Sequence, residues 1–185
     1  MHIRRVRAND AAAIASLYRP FVEDSRISFE LIAPDAEEIG RRIGKCGDAY
    51  PYLVAEGGDG VLGYAYATAF RDRPAYRFAV ETSIYLSPHA QGCGLGRRLY
   101  TALLDILTAQ GFVHAIGAVT MPNDASTALH LAMGYATTGV YRDIGFKQDA
   151  WASVQLFQKT LHALPDTPQE PLPLSACPAW TAIPA

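Results

Sequence analysis

The chain has 185 residues, half of them hydrophobic, which is enough apolar material for one domain around a single core. Its formal net charge is -2 and its pI is about 6.2, so no basic field points to nucleic acid or to an anionic membrane surface as a partner. No apolar run reaches the roughly 20 residues that a membrane helix needs, and residues 1–5 lack the pattern of a signal peptide. The composition predicts a soluble, cytoplasmic protein.

Cysteine and histidine patterns argue against a disulfide framework and against a metal site. Cys46, Cys93 and Cys177 are odd in number and far apart, which favours free thiols in a reducing compartment. The five histidines include no closely spaced pair of the H-x-x-x-H kind. We therefore expect neither zinc nor another metal.

The predicted elements follow the order β-α-α-β-β-β-α-β-α-β-β, which indicates an α/β fold with a mixed central sheet. Asn9 or Asp10 can cap the first helix, Gly111 ends the third, and residues 57–60 predict a hairpin turn. The predicted strands cover residues 3–7, 52–56, 61–70, 78–86, 112–120, 135–144 and 151–159. The predicted helices cover residues 14–22, 34–44, 99–111 and 123–133.

The composition changes near residue 164. Half of the 12 prolines lie beyond this point, so residues 164–185 cannot extend a sheet or a helix and are predicted to be a proline-rich tail. Leu172, Leu174, Trp180 and Ile183 are the tail residues with side chains that can pack on a surface. The prediction is one domain over residues 1–163, followed by this tail.

Residues 91–96, Gln-Gly-Cys-Gly-Leu-Gly, come between a predicted strand and a predicted helix. Glycines at such a place let several backbone N–H groups face one anion, and the helix dipole adds to the attraction. No Gly-Lys-Ser/Thr follows and the spacing is not G-x-G-x-x-G, so neither common nucleotide loop is present. The loop suits a pyrophosphate, and the alternative is an ordinary glycine-rich turn.

The pattern Gln91-x-x-Gly94-x-Gly96 resembles the Q/R-x-x-G-x-G/A signature of GNAT acetyltransferases, whose loop holds the pyrophosphate of acetyl-CoA. Further motifs are similar to the phosphinothricin and methionine sulfone acetyltransferase branch, and with the loop they cover about residues 3–161. These motifs are Val80–Pro88, Met121–Asp124, His130 with Met133–Tyr135, and Gly145–Lys147 with Trp151. The resemblance implies a GNAT fold, acetyl-CoA as co-substrate, an amino-acid-like acceptor and a homodimer.

Glu81 is the candidate general base. On a strand it shares one face with Ser83 and Tyr85, while Thr82 and Ile84 point to the other face. Burial of a carboxylate in such a strand raises its pKa, which suits proton abstraction near neutral pH. The alternative is a surface glutamate without a catalytic role.

The helix predicted over residues 123–133 places Asn123, Ser126, Thr127 and His130 in one polar stripe, and it turns residues 129, 132 and 133 to the core. Capping plus a solvated polar face is the plain interpretation. The resemblance implies instead that Asn123 contacts the pantetheine arm of the cofactor. It also places His130 where most GNAT enzymes have a tyrosine that protonates the leaving thiolate, so the acid is His130 or a bound water.

The loop over residues 70–77 contains three arginines, whose guanidinium groups can bind carboxylate, phosphinate or sulfone oxygens. An ordinary charged turn is the alternative. The resemblance implies an acceptor pocket at this loop with an aromatic residue closing it. The implied acceptor contacts are Phe29, Arg71, Arg73, Tyr76, Thr82 and Ser83.

The remaining implied roles concern the co-substrate. A backbone N–H near Tyr85 and Leu86, freed by a bulge and a splay of the strand, would stabilise the oxyanion. The implied acetyl-CoA contacts are Ile84, Tyr85, Leu86, Gln91, Gly92, Cys93, Gly94, Leu95, Gly96, Arg97, Asn123 and Ser126. Two alternatives remain: an acetyltransferase for a protein N-terminus or a polyamine, and a non-catalytic acyl-CoA-binding module.

Overall fold

A computed structural model describes residues 1–58 and 60–185. Its strands are β1 (His2–Arg5), β2 (Tyr52–Gly57), β3 (Gly60–Ala69), β4 (Ala79–Leu86), β5 (His114–Thr120), β6 (Ala136–Lys147) and β7 (Ala150–Thr160). Its helices are α1 (Ala11–Glu23), α2 (Ala36–Cys46), α3 (Leu95–Gln110), α4 (Asp124–Ala132) and α5 (Pro178–Thr181). The predicted order of elements is confirmed, with α5 added. The predicted turn at residues 57–60 includes Asp59, which lies outside the described residues.

The seven strands form one mixed sheet in the order β1-β2-β3-β4-β5-β7-β6. Neighbouring strands are antiparallel except β4 and β5, which are parallel. The β4–β5 pairing extends only from Ala79↔His114 to Glu81↔Ile116, although both strands continue beyond these pairs. The two strands therefore diverge in the middle of the sheet, and this divergence creates the cleft described below.

Each face of the sheet carries its own core cluster because successive strand residues point to opposite faces. On one face, α3 buries Leu99, Leu103 and Leu107 against strand residues that include Phe157. On the other face, α1 and α2 cover a cluster that includes Ile14 and the buried tyrosines Tyr18, Tyr52 and Tyr64. The functional loops thus connect elements that are fixed by two separate cores.

The start of α1 differs from the prediction. Residues 8–10 form a short 3₁₀ turn, and Asp10 does not cap α1 with its side chain. Its carboxylate instead accepts two hydrogen bonds from the Arg4 guanidinium, at 2.7 and 2.8 Å, and one from the Arg7 N–H. Arg4 is almost completely buried. Leaving its charge unpaired would cost more free energy than leaving α1 without this side-chain cap.

Residues 164–185 pack against the rest of the chain. The predicted absence of regular structure holds up to Pro173, but Leu174 and Cys177 are fully buried in the α3 cluster. The backbone is bonded as well: the Leu172 N–H donates to Gln110 O at 2.7 Å, and the Arg5 N–H donates to Pro184 O at 2.8 Å. Proline prevents a strand here, yet the apolar side chains between the prolines still bury their surface.

Candidate active site

The divergence of β4 and β5 opens a cleft of about 370 Å³. Its walls come from α1 and the loop after it, from β4, from the glycine loop at the start of α3, from β5 and from α4. The lining residues are Phe21, Ile27, Thr82, Ser83, Ile84, Tyr85, Leu86, Gln91, Gly92, Gly94, Gly96, Arg97, Ala118, Val119, Thr120, Asn123, Ala125, Ser126, Leu129 and His130. Most residues predicted to contact acetyl-CoA are in this set.

The glycine loop at one end of the cleft has the geometry of an anion site. Gly94 precedes α3 in the left-handed conformation (φ +80°), and Gly92 also has a positive φ (+75°). The first N–H groups of α3, from Leu95 onward, have no carbonyl one turn earlier in the helix to bond. A pyrophosphate fits here because these donors and the helix dipole converge on the cleft.

Two predicted contacts in this loop are limited by the structure. Leu95 packs its side chain into the core, so only its backbone can serve a ligand. Cys93 is exposed, does not line the cleft, and points its thiol to Ala90 O at 3.2 Å. The Cys93 side chain therefore does not face the cleft, and its implied contact with acetyl-CoA stays a prediction for its backbone.

Strand β4 presents free N–H groups to the cleft. Ser87 N–H donates to Leu62 O, and the β3–β4 register runs on without interruption from Gly63↔Leu86 to Ala69↔Val80. In an antiparallel ladder, residue pairs that exchange hydrogen bonds alternate with pairs that do not. The N–H groups of Ile84 and Leu86 therefore point away from β3, toward the side from which β5 has diverged. The predicted splay is confirmed, the predicted bulge in β4 is wrong, and the N–H of Tyr85 faces β3.

Glu81 lies on β4 beside the point where the β4–β5 pairing ends. Its side chain is 37 % exposed, and its one ion-pair partner among the described residues is Arg71, with Nη1 4.0 Å from Oε2. Partial burial raises the pKa of the Glu81 carboxyl above its ordinary 4.5, and the Arg71 charge opposes this rise. The predicted direction of the pKa shift is confirmed, and the carboxylate remains open to solvent.

His130 lies on the opposite side of β4, and the prediction of one solvated stripe on α4 is wrong for this residue. It is 4 % exposed and is the buried residue of α4, whereas Ala132, which was predicted to face the core, is exposed. Its ring packs between the aromatic rings of Phe157 and Tyr135, with centroid distances of 5.1 Å to each. Asn123 caps α4 as predicted by accepting the Ser126 N–H at 3.1 Å.

The protonation of His130 follows from its partners. Nδ1 lies 2.8 Å from the Ser126 carbonyl oxygen, which can only accept, so Nδ1 carries the proton. Nε2 lies 3.1 Å from the Tyr100 hydroxyl. Burial lowers the pKa of His130 below its ordinary 6.5, so the ring is neutral and Nε2 accepts the Tyr100 proton.

Thr82 belongs to this buried network, and its prediction as an acceptor contact is not supported by its position. Its hydroxyl lies 3.0 Å from Ile116 O, 2.7 Å from the Tyr100 hydroxyl and 3.0 Å from the Tyr135 hydroxyl. The alternation along β4 turns the Thr82 side chain away from the face that carries Glu81.

The acceptor side of the site is more open than the cofactor side. Arg71, Arg73 and Tyr76 are exposed and do not line the cleft; Tyr76 packs edge-on against Phe70, with ring centroids 5.6 Å apart. The structure brings Arg71 to Glu81 and records no contact of Arg73 or Tyr76 with that carboxylate. Their acceptor-binding roles, like that of Phe29, stay predictions.

Several cleft and network residues were not predicted. Tyr100 and Tyr135 come from distant elements, and no local pattern distinguishes them from other core aromatics. The wall of β5 consists of small and β-branched residues that resemble any buried strand. The glycine loop and the polar start of α4 were the parts of the cleft that a local sequence pattern could predict. The wall residues that were missed are Phe21, Ile27, Ala118, Val119, Thr120, Ala125 and Leu129.

Within the part of the chain that the structure describes, no group of three or more His, Cys, Asp or Glu side chains is placed to hold a metal ion. None of the described helices is long and apolar enough to cross a membrane.

Comparison with known proteins gives one consistent assignment. Residues 3–156 match the family model described as the acetyltransferase (GNAT) domain. The phosphinothricin N-acetyltransferase of Alcaligenes faecalis is 41% identical over 163 residues, covering 87% of this chain and 83% of that protein. The L-methionine sulfoximine/L-methionine sulfone acetyltransferase of Salmonella typhimurium is 35% identical over 119 residues, covering 63% and 70%.

A solved structure agrees with these relatives. The crystal structure of a phosphinothricin acetyltransferase from Sinorhizobium meliloti in complex with AcCoA superposes with a TM-score of 0.86 at 38% identity, covering 91% of this chain and 92% of that one. The chain therefore belongs to the GNAT acetyltransferase family. Within that family it is an acetyl-CoA-dependent N-acetyltransferase.

Proposed function

We propose that this enzyme transfers the acetyl group of acetyl-CoA to the amino group of a small amino-acid-like acceptor of the phosphinothricin, methionine sulfoximine or methionine sulfone type. The observation that carries the proposal is the position of β4. This strand borders the cleft whose far end suits a pyrophosphate, and it also carries Glu81, a carboxylate with a raised pKa. The names of the relatives supply the acceptor class.

The residues support a direct transfer. Glu81 takes a proton from the acceptor ammonium, directly or through water, because its carboxylate is accessible and its pKa is raised toward the working pH. The amine then attacks the thioester carbonyl carbon. The free N–H of Ile84 or of Leu86 on the cleft side of β4 stabilises the developing oxyanion, and the C–S bond breaks as the amide forms.

In this proposal a bound water relays the proton for the leaving thiolate: it gives one proton to the sulfur and takes up the proton that the attacking nitrogen loses as the amide forms. His130 is neutral, its Nδ1 proton is held by Ser126 O, and its Nε2 already accepts from Tyr100. An imidazolium acid would have to form in a site that burial makes unfavourable for charge. Of the two candidates, water therefore fits the geometry better, and His130 serves to order the cleft wall.

The charge near Glu81 supports an acceptor that carries its own anion. Arg71 and Arg73 outnumber Asp72 in the loop after β3, so a carboxylate or an oxyanionic side group is favoured there. A polyamine would meet repulsion at this loop. A non-catalytic binding module would need neither an accessible Glu81 nor free N–H groups on β4.

We also propose a homodimer in the cytoplasm. The end of the β6–β7 pair exposes several large apolar side chains, namely Tyr141, Ile144, Phe146 and Trp151. Exposed apolar clusters of this kind are typical of protein interfaces. Three free cysteines are compatible with a reducing compartment. Sedimentation equilibrium of the wild type and of Ile144→Glu tests the dimer.

The enzymatic proposal is tested by thiol release from acetyl-CoA with a panel of amines. Phosphinothricin, methionine sulfoximine and methionine sulfone should be turned over at far lower concentrations than spermidine or a peptide N-terminus. Arg73→Ala should raise the acceptor KM about tenfold or more, because charge-assisted hydrogen bonds are lost, and should leave acetyl-CoA binding intact. Preference for spermidine or the peptide would overturn the acceptor class, and no release with any amine would overturn the activity.

A further inference from the structure

Lys147 is a buried amine that the reaction does not use. It is the last residue of β6 and is 6 % exposed. Its Nζ donates to Val22 O at 2.5 Å and to Ser28 O at 2.7 Å. Both acceptors are backbone carbonyls, so the ammonium joins three separate pieces of chain: the end of α1, the loop after it and the end of β6.

The contact with α1 has a clear electrostatic basis. Val22 lies in the last turn of α1, where carbonyl groups have no partner within the helix and carry the negative end of the dipole. A cation at this end is favourable, and α1 has no basic residue of its own in its last turn. Lys147 therefore supplies the missing charge from a strand on the other side of the loop.

The same loop, residues 24–35, is fastened at other points. Thr120, at the end of β5, donates its hydroxyl to Ile27 O at 3.0 Å. Just before the loop, Gln148 donates its side-chain amide to the carbonyl oxygen of Glu23, the last residue of α1, at 3.0 Å. The Phe29 ring lies directly on the backbone of Gly145, where an added Cβ would fall within the ring's van der Waals radius. Residues at the end of β5 and around the end of β6 thus hold this loop at several points.

This fastening bears on the site because the loop carries two side chains that border it. Ile27 lines the cleft between β4 and β5, and Phe29 is partly exposed at the place where it rests on β6. Their positions depend on where the carbonyls of residues 22, 27 and 28 are held. On its other side the loop is bonded to the helices: the Ser28 N–H donates to Phe21 O at 3.4 Å, and the Arg42 guanidinium donates to the Glu30 carboxylate at 2.7 and 2.9 Å.

We propose that Lys147 is a positioning residue for acetyl transfer, which fixes the α1–α2 loop so that Ile27 and Phe29 form the acceptor side of the cleft. The inference rests on the proposed function for its kinetic consequence. It assigns a role to two residues of the Gly145-Phe146-Lys147 motif. Gly145 leaves room for the Phe29 ring to pack on its backbone. Lys147 holds the backbone on either side of the point where the loop starts.

The test compares Lys147→Met with Lys45→Met, which removes an exposed lysine from α2. Lys147→Met should raise the acceptor KM about tenfold, as expected for loss of charge-assisted hydrogen bonds that order the loop, with the acetyl-CoA Kd unchanged by calorimetry. Lys45→Met should match the wild type. A lysine needed only for stability would lower the active fraction, so kcat would fall while both KM values stayed constant; that result overturns the proposal.

A double-mutant cycle sharpens the assignment. If Lys147 acts through the loop that carries Phe29, Lys147→Met should add little to the acceptor KM of Phe29→Ala. Full additivity would overturn the mechanism. Thr120→Val and Gly145→Ala serve if Lys147→Met does not fold, and each should raise the acceptor KM in the same selective way.

Hydrogen exchange separates this inference from the proposed function. Lys147→Met should speed amide exchange over residues 24–32 and leave residues 91–98 as in the wild type, whatever substrate the enzyme takes. Faster exchange with an unchanged acceptor KM, or unchanged exchange, overturns the positioning role. A wild type that acetylates none of the amines tested refutes the proposed function, and the exchange result then stands by itself.

Discussion

Strand β4 separates two titratable groups that the protein treats in opposite ways. On one face Glu81 is more than a third exposed, has one distant cation as its partner and has a raised pKa. On the other face His130 is almost fully buried, has both ring nitrogens committed to hydrogen bonds and has a lowered pKa. Burial disfavours the charged form of both groups, and Glu81 is by far the more exposed of the two.

In the proposed mechanism, accessibility separates the catalytic group from the structural one more than the size of the pKa shift does. A base must release its proton in every cycle, and an open carboxylate does so. His130 would first have to break a bond to Tyr100 or to Ser126 O. Each of the following variants tests one part of this contrast.

The largest effect is expected from Glu81→Gln, which keeps the shape of the side chain and removes the base. General-base catalysis contributes about 10²–10⁴-fold, so kcat near pH 7 should fall within that range while acetyl-CoA binding is preserved. The loss should shrink as the pH approaches the pKa of the acceptor amine. Stopped-flow or thiol-release kinetics measure kcat and its dependence on pH. Wild-type turnover with an unchanged pH profile would leave Glu81 without a role in proton transfer.

The next effect concerns the glycine loop before α3, at the cofactor end of the cleft. Gly94→Val places a β-branched residue at φ +80° and disturbs the N–H groups at the start of α3. The acetyl-CoA KM should rise by about tenfold or more, with the acceptor KM little changed. Calorimetric titration of acetyl-CoA provides the readout, and an unaltered affinity would refute the pyrophosphate site. The exposed Gly58→Val is the control for glycine loss as such.

His130 is expected to affect stability against pH. Burial lowers its pKa in the folded state, so below the ordinary value of 6.5 the unfolded chain binds a proton that the folded chain does not. Stability therefore falls as the pH decreases through this region. His130→Gln should flatten that fall in urea unfolding between pH 7.5 and 5 (roughly the range where histidine titrates), whereas the exposed His89→Gln should not. Equal slopes in all three proteins would contradict a neutral, buried His130.

The smallest effect belongs to Arg71. Its charge lowers the pKa of Glu81 against the effect of burial, so Arg71→Ala should raise that pKa further. Since Glu81 must be deprotonated to act, the acidic limb of the kcat/KM profile should move to higher pH. Arg71→Lys keeps the charge and should leave the limb in place. A shift with lysine equal to that with alanine would show that charge is not the cause.

The sequence predicted those parts of the fold and site that depend on neighbouring residues. Alternation along residues 80–86 assigned Glu81 and Thr82 to opposite faces of β4, and glycine spacing located the turn before α3. The acceptor role implied for Thr82 stays a prediction, although its side chain points away from the face that carries Glu81. The capping of α4 by Asn123 was also local and was predicted correctly.

Contacts between distant residues were not predictable in this way. Lys147 meets carbonyl groups more than a hundred positions away in the chain, and nothing in a Gly-Phe-Lys triplet shows that its amine will be buried. Likewise, the Tyr100–His130–Tyr135 network forms only because α3, α4 and the start of β6 converge on one side of β4. The proline content of residues 164–185 predicted irregular backbone but could not predict where that backbone binds.

The packing of residues 180–185 against β1 and the residues after it also bears on how this edge of the sheet is covered during synthesis. Arg5 donates from its guanidinium to Trp180 O, 175 positions later, and Arg7 donates to Ala185 O. Because synthesis runs from the N- to the C-terminus, β1 leaves the ribosome well before residues 180–185, which pack along its outer edge. Until residues 180–185 leave the exit tunnel, the outer edge of β1 has open backbone groups, the kind of edge on which nascent chains associate. Residues 180–185 thus cover part of the sheet edge, through the bond from Arg5 N–H to Pro184 O, in addition to the packing of the tail on α3.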